Sequence, residues 1–126
     1  MEKKVICAAN APKAVGPYSQ AIQAGETLYV SGQLPVNPAD GSVAESIEEQ
    51  TRQSLANLRA ILVEAGMDFG NVVKTTVLLD DIKNFAAMNA VYAEHFAAPF
   101  PARVCYQVAA LPLGVKVEIA AVAVAE

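Results

Sequence analysis

Ala102-Arg103-Val104-Cys105-Tyr106-Gln107-Val108-Ala109-Ala110-Leu111, and then Val115-Lys116-Val117-Glu118-Ile119-Ala120-Ala121-Val122-Ala123-Val124-Ala125, is the stretch whose reading decides the fold. Both runs are short, apolar and rich in Ala and Val, with Pro112 and Gly114 between them. They read as two strands, Ala102–Leu111 and Val115–Ala125. Upstream, Ala97-Ala98-Pro99-Phe100-Pro101 stops a helix expected from Ile82 to Phe96, with Phe85, Met88, Tyr92 and Phe96 on its buried stripe and Asp80-Asp81 as its cap. Before that lies a β-rich run, Val72–Leu79. Ser46 and Glu49 fit a capping box, and Ile47, Thr51, Leu55, Leu58, Leu62 and Ala65 step along one face of a helix that Gly66 closes. Lys3–Cys7, Ser19–Ala24 and Thr27–Gly32 read as strands, the last two forming a hairpin through Gly25. The order is β-β-β-α-β-α-β-β. Strands do not alternate strictly with helices, which predicts an α+β fold with two helices packed on one face of one mixed sheet.

The 126 residues make one domain, 1–126. Hydrophobic residues are 54% of the chain and charged ones 17%, far from the balance of a disordered chain. The surplus is largely alanine, 24 residues against 8 aromatics and no Trp. A chain this short cannot hide so much apolar surface in one monomeric core, so part of it is expected in a subunit interface. The net charge of −4 offers no basic footprint for nucleic acid. Pro112 and Gly114 interrupt the longest near-uncharged run, which predicts no membrane span, and the N-terminus carries no apolar stretch fit for a signal peptide. Cys7 and Cys105 are too few for a disulfide framework. They are expected to be buried, inert thiols in a reducing cytoplasm.

The informative residues are charges within the last two strands. Alternation places Arg103, Cys105 and Gln107 on one face and Val104, Tyr106 and Val108 on the other; Lys116, Glu118 and Ala120 share a face in the final strand. A charge in an apolar strand is paired, at an exposed edge, or in a site. One reading is a structural Arg103–Glu118 ion pair. The other is a small anion site, in which Arg103 offers a planar fork to a carboxylate and Glu118 handles a proton or a water. Tyr18 in the rigid Gly16-Pro17-Tyr18-Ser19 turn, the Ser31-Gly32 pair at a strand end and Asn89 beside the second helix's apolar stripe are candidates to complete a pocket. Each also has an ordinary structural reading, as a loop aromatic, a strand terminus and a loop tether. The lone His95 sits near a helix C-terminus. No spacing of His and Cys suggests a metal site, no glycine-rich phosphate loop is present, and Ser31 lacks His and Asp partners for a triad.

Pro101-Ala102-Arg103-Val104-Cys105-Tyr106, with Ala109, Leu111 and Val117-Glu118-Ile119, resembles the RidA/YjgF family position by position. Gly16-Pro17-Tyr18-Ser19-Gln20, Tyr29-Val30-Ser31-Gly32-Gln33 and Phe85-Ala86-Ala87-Met88-Asn89 agree with it, so the similarity runs nearly end to end. The resemblance implies a chorismate-mutase-like fold and a homotrimeric barrel with ligand clefts between subunits. It implies a deaminase that hydrolyses 2-aminoacrylate, 2-iminopropanoate and 2-iminobutanoate to 2-oxo acids and ammonia without a cofactor, functionally linked to pyridoxal-phosphate-dependent dehydratases that release these intermediates. Carried onto this sequence, it makes Arg103 the carboxylate clamp and Glu118 the residue that positions and activates water. The backbone at Cys105 and Gly32 would contact the imine or the water, Ser31 would assist tautomerisation, Tyr18 would wall the cleft, and Asn89 would shape the site. The competing class is a non-catalytic ligand-binding regulator or chaperone-like protein using the same cleft. Some relatives are described as ribonucleases, which fits poorly with the net charge of −4 and the lone His95.

Overall fold

A computed structural model describes residues 2–126. Six strands form one sheet: β1 (Lys3–Ile6), β2 (Ala21–Ala24), β3 (Thr27–Gln33), β4 (Val72–Leu79), β5 (Ala102–Gln107) and β6 (Val117–Val124). The sheet order is β1-β2-β3-β6-β4-β5. Only β4 and β5 run parallel, joined by the crossover that contains the second helix. The other neighbours are antiparallel. β6 therefore occupies a central position, and β5 is an edge strand.

α1 (Ile47–Glu64) begins where Ser46 Oγ accepts a hydrogen bond from Glu49 N at 3.1 Å. The reciprocal half of the expected box is absent, because the Glu49 carboxylate instead pairs with Arg52 at 2.6 Å. Gly66, at φ 77°, ends the helix: Gly66 N donates to Val63 O and Met67 N to Leu62 O, the paired bonds of a Schellman cap. α2 (Phe85–Ala93) is shorter than the sequence suggests. A 3₁₀ turn, Ile82–Asn84, precedes it, because Asp81 caps Lys83 N at 2.9 Å and closes a tighter turn first. Its apolar stripe continues past the helix end: Met88, Tyr92 and Phe96 are all buried.

Both helices cover one face of the sheet. Leu55, Leu58, Ile61 and Leu62 from α1 and Met88 from α2 meet Leu28, Val77, Leu79, Val117 and Ile119 in a continuous core. The last strands are shorter than expected. β5 ends at Gln107, where Gln107 Oε1 turns back to accept from Ile82 N at 2.8 Å, and β6 starts at Val117 after a 3₁₀ turn at Pro112–Gly114. Cys7 lies just beyond β1 and is exposed, not buried; Cys105 is half-buried.

The opposite face of the sheet has no helix on it. Cross-strand register places Val5, Ile22, Tyr29 and Val122 in one row of that face, Thr76, Val104 and Ala120 in another, and Leu78, Tyr106 and Glu118 in a third. Val5, Tyr29, Val104 and Tyr106 are exposed there. In sequence these residues alternate with core residues, which is the pattern of a sheet apolar on both sides.

Candidate active site

Strand geometry separates the two charges that the sequence brings to notice. Thr75 pairs with Arg103 on one side and Ala121 on the other, and Thr75 is fully buried under the helices. Arg103 therefore belongs to the helix-covered face. Glu118 pairs with Leu78 on the bare face. β4 lies between their strands, which places them about 10 Å apart laterally as well as on opposite sides. A structural Arg103–Glu118 ion pair within one chain is excluded.

Arg103 projects from the edge strand toward α2. Its Nη1 donates to Asn89 Oδ1 at 2.6 Å. Its Cζ stands 4.7 Å from the Tyr92 ring centroid and 5.5 Å from that of Phe85. The Tyr92 hydroxyl is hydrogen-bonded to Thr75 Oγ1 at 2.8 Å, which fixes the ring beneath the guanidinium. Burial raises the Tyr92 pKa, against the Thr75 hydrogen bond and the Arg103 charge, so the ring stays neutral. Among the described residues no carboxylate pairs with Arg103. Its positive charge is held by an amide and two π faces, all uncharged. Asn89, Tyr92, Phe100 and Arg103 line a cleft of 390 Å³. Cys105 lies on the Arg103 side, packed against the core, and burial raises its thiol pKa despite the nearby arginine. It remains a thiol near neutral pH.

The other half of the candidate site surrounds Glu118. β3 carries a bulge: Ser31 and Gly32 together stand opposite Ala120 alone. The bulge brings Gly32 against the Glu118 side chain, and a Cβ at Gly32 would lie 2.7 Å from Glu118 Cδ. A side chain at Gly32 would thus displace the Glu118 carboxylate, although the φ of Gly32 is ordinary. Glu118 is half-buried, and this burial raises its carboxyl pKa above the ordinary carboxylate range. Ser31 Oγ donates to Ser19 O at 2.6 Å and Ser31 N donates to Gln20 O at 2.9 Å, tying the bulge to the Gly16–Gln20 segment. The Ser31 hydroxyl hydrogen is therefore engaged, and its oxygen is left as an acceptor. Gln20 is buried, accepting from Ala8 N at 2.6 Å and donating to Pro12 O at 2.8 Å. Tyr18, 51% exposed, and Gly32 border a second cleft.

The structure thus collects the expected residues into two groups. Arg103, Asn89 and Cys105 stand on the helix side of the edge strand. Glu118, Gly32, Ser31 and Tyr18 stand around the bulge. Phe85, Tyr92 and Thr75 were missed as contributors to the Arg103 group. The first two carry the apolar spacing of a core stripe, and nothing in that spacing reveals that the same rings also support a charge.

A family model described as Endoribonuclease L-PSP matches residues 8–125. The chain is 53% identical over 123 residues to a 2-iminobutanoate/2-iminopropanoate deaminase of Capra hircus, covering 97% of this chain and 90% of that protein. Its backbone superimposes on that of YyfA, a protein of the Rid family from Yersinia pestis, with a TM-score of 0.95 and 47% identity over 98% of this chain and 100% of YyfA. It superimposes on Escherichia coli TdcF with bound serine with a TM-score of 0.93 and 43% identity, over 98% and 99% of the two chains. On these matches the chain belongs to the Endoribonuclease L-PSP family, the RidA/YjgF family that its own motifs resemble.

Proposed function

We propose that this protein hydrolyses 2-imino acids, 2-iminopropanoate and 2-iminobutanoate among them, to 2-oxo acids and ammonia, in a cleft completed by two copies of the chain. The observation that carries this reading is the Arg103 guanidinium, held only by neutral partners and therefore carrying an uncompensated positive charge for a carboxylate. Near full-length similarity to a curated deaminase, and the serine bound to a close structural relative, agree with a site for a small carboxylate.

Arg103 binds the substrate carboxylate through its planar fork, with Asn89 and the Tyr92 ring fixing the fork's direction. Glu118 of a second copy, carried on the bare sheet face beside Gly32, positions a water and takes its proton as the oxygen bonds to the imine carbon. The C=N electron pair moves to nitrogen, which is protonated. The C–N bond of the resulting carbinolamine then breaks as its hydroxyl proton passes, by way of Glu118, to the departing nitrogen, releasing ammonia and leaving the C=O of the 2-oxo acid. For an enamine, protonation at carbon precedes these steps, and the Ser31 oxygen, its own hydrogen committed to Ser19 O, accepts a hydrogen bond from the substrate nitrogen. Backbone groups at Cys105 and Gly32 contact the imine or the water, and Tyr18 closes one wall. Imines hydrolyse unaided in water, so orientation supplies most of the acceleration.

A trimer accounts best for the alanine-rich, uncovered sheet face, which three copies would bury around a common axis as a barrel of the chorismate-mutase-like kind. The substrates are products of pyridoxal-phosphate-dependent eliminations, which places this activity directly after such dehydratases. No supporting feature favours RNA cleavage: the net charge is −4, and the Nδ1 of the lone His95 is occupied by Val91 O at 2.8 Å.

The test follows the decay of 2-iminobutanoate, generated from threonine by a dehydratase, with and without this protein. Faster decay, lost in Arg103→Ala and slowed in Glu118→Gln, is expected. Decay at the uncatalysed rate in the presence of folded protein would overturn the proposal and favour a ligand-binding role.

A further inference from the structure

Gln33 is a buried amide on the core side of β3. It is 5% exposed and pairs across the ladder with Ile119, which is fully buried under the helices. Val30 pairs with Ala121, also buried. In a regular strand residues 30 and 33 would face opposite sides of the sheet. Both face the helices here, because the bulge at Ser31 and Gly32 shifts the alternation by one residue. An apolar side chain opposite Ile119 would serve the core, and an amide buried there costs free energy unless it is bonded.

The bulge accounts for the amide. Ser31 and Gly32 together oppose Ala120, so their backbone groups cannot all find ladder partners. Three bonds hold Ser31 instead. Its N donates to Gln20 O at 2.9 Å, its Oγ donates to Ser19 O at 2.6 Å, and its carbonyl accepts from Gln33 Nε2 at 3.0 Å. The first two tie Ser31 to the preceding segment. The third grips the peptide that joins Ser31 to Gly32. A carbonyl only accepts, so the glutamine must present its nitrogen there. Gln33 is itself held on both sides. Its backbone pairs with Ile119, and just downstream the fully buried Asn57 donates from Nδ2 to Leu34 O at 3.0 Å and to Val36 O at 2.9 Å. A fixed arm therefore holds the peptide of Gly32, the residue that lies against the Glu118 carboxylate.

We infer that Gln33 is a positioning residue for imine hydrolysis: its amide replaces a ladder donor that the bulge removes, fixes Gly32, and so fixes the Glu118 carboxylate that handles the water. The inference rests on the deaminase reading above and adds a residue to it. Gln33 acts here through Ser31 and Gly32, not through a contact with substrate.

The experiment compares the parent with Gln33→Met, which keeps the side-chain length and loses the donor, at a temperature where circular dichroism shows both fully folded. With 2-iminobutanoate, kcat is expected to fall about 10- to 100-fold, the scale of a misplacement of up to about 1 Å. KM, and calorimetric binding of 2-oxobutanoate, depend on Arg103 and are expected to stay close to the parent values. A purely structural amide would lower Tm and leave kcat unchanged, and that result would overturn the inference. So would a raised KM with kcat unchanged, which is the mark of a binding residue. Gln33→Asn keeps the amide but withdraws it by one methylene; it is expected to show the same loss of kcat, and it replaces Gln33→Met if that variant does not fold. The contact itself is read by NMR, as the nuclear Overhauser effect between Gly32 Hα and Glu118 Hγ, which should weaken in both variants. Should the parent hydrolyse no imine, the deaminase reading fails by itself. The NMR signal then decides the role of Gln33: weakening supports its hold on Gly32, and unchanged intensity overturns it.

Discussion

Gly32 and Glu118 are in contact across the β3–β6 boundary, so closely that any side chain at Gly32 must displace the carboxylate. The bulge that creates this contact inserts one residue into β3 and leaves the neighbouring pairings, Val30 with Ala121 and Gln33 with Ile119, in place. The sheet thus holds the Glu118 carboxylate, the proposed base, against backbone while its own ladder stays intact on both sides.

Gly32→Ala tests this contact. The added methyl group would meet Glu118 Cδ at 2.7 Å, and the acid must rotate away. The variant is expected to fold, since the φ of Gly32 is outside the left-handed region, and to lose most of its turnover, about 100-fold for a displacement near 1 Å. Binding of a 2-oxo acid, which depends on Arg103, is expected to fall much less. Steady-state kinetics together with calorimetry separate the two effects.

The pH dependence follows from the burial of Glu118. Its folded pKa is raised above that of the unfolded chain, so the native state binds its proton more tightly. Stability from this group therefore decreases as pH rises through the folded pKa and is recovered as pH falls toward 4.5. Glu118→Gln is expected to raise Tm at neutral pH, with the gain shrinking on acidification. Activity runs the other way, because the base must be ionised: turnover should fall on the acid side at a pH above the usual carboxylate range. That acid limb should be missing from the residual rate of Glu118→Gln.

Tyr92 serves both core and site, and its two roles can be separated. Tyr92→Phe keeps the ring under Arg103 but leaves Thr75 Oγ1 buried without its 2.8 Å partner. The expected loss is about 1–3 kcal/mol of stability, measured by urea denaturation, with little change in KM. Tyr92→Leu removes the π face as well, and KM should rise several-fold, in line with about 0.5–2 kcal/mol for a cation–π contact.

Much of this was legible in the residues. The α1 register, its Ser46 cap and its Gly66 stop follow from spacing and residue type, as does the β2–β3 hairpin. Alternation in the last two strands correctly divides Arg103 and Cys105 from Tyr106. The α2 boundaries were less accessible, because Asp81 closes a 3₁₀ turn whose side chains still follow an apolar stripe. The exposure of Cys7 escaped for a similar reason, since a small hydrophobe one residue past a strand has no local signal for burial. Sequence alternation defines faces only within a strand. Whether Arg103 and Glu118 share a face depends on how β5 and β6 register through β4, and only the sheet itself supplies that.

On the proposed mechanism, a working site takes Arg103 from one copy and Glu118 from another. The test mixes the inactive Arg103→Ala with the slowed Glu118→Gln, unfolds and refolds them together, and assays 2-iminobutanoate hydrolysis. In a closed ring of randomly mixed copies about one site in four would hold both native residues, so activity should return to about a quarter of the parent level. Activity no greater than the sum of the separate variants, in oligomers shown to contain both chains, would contradict the account.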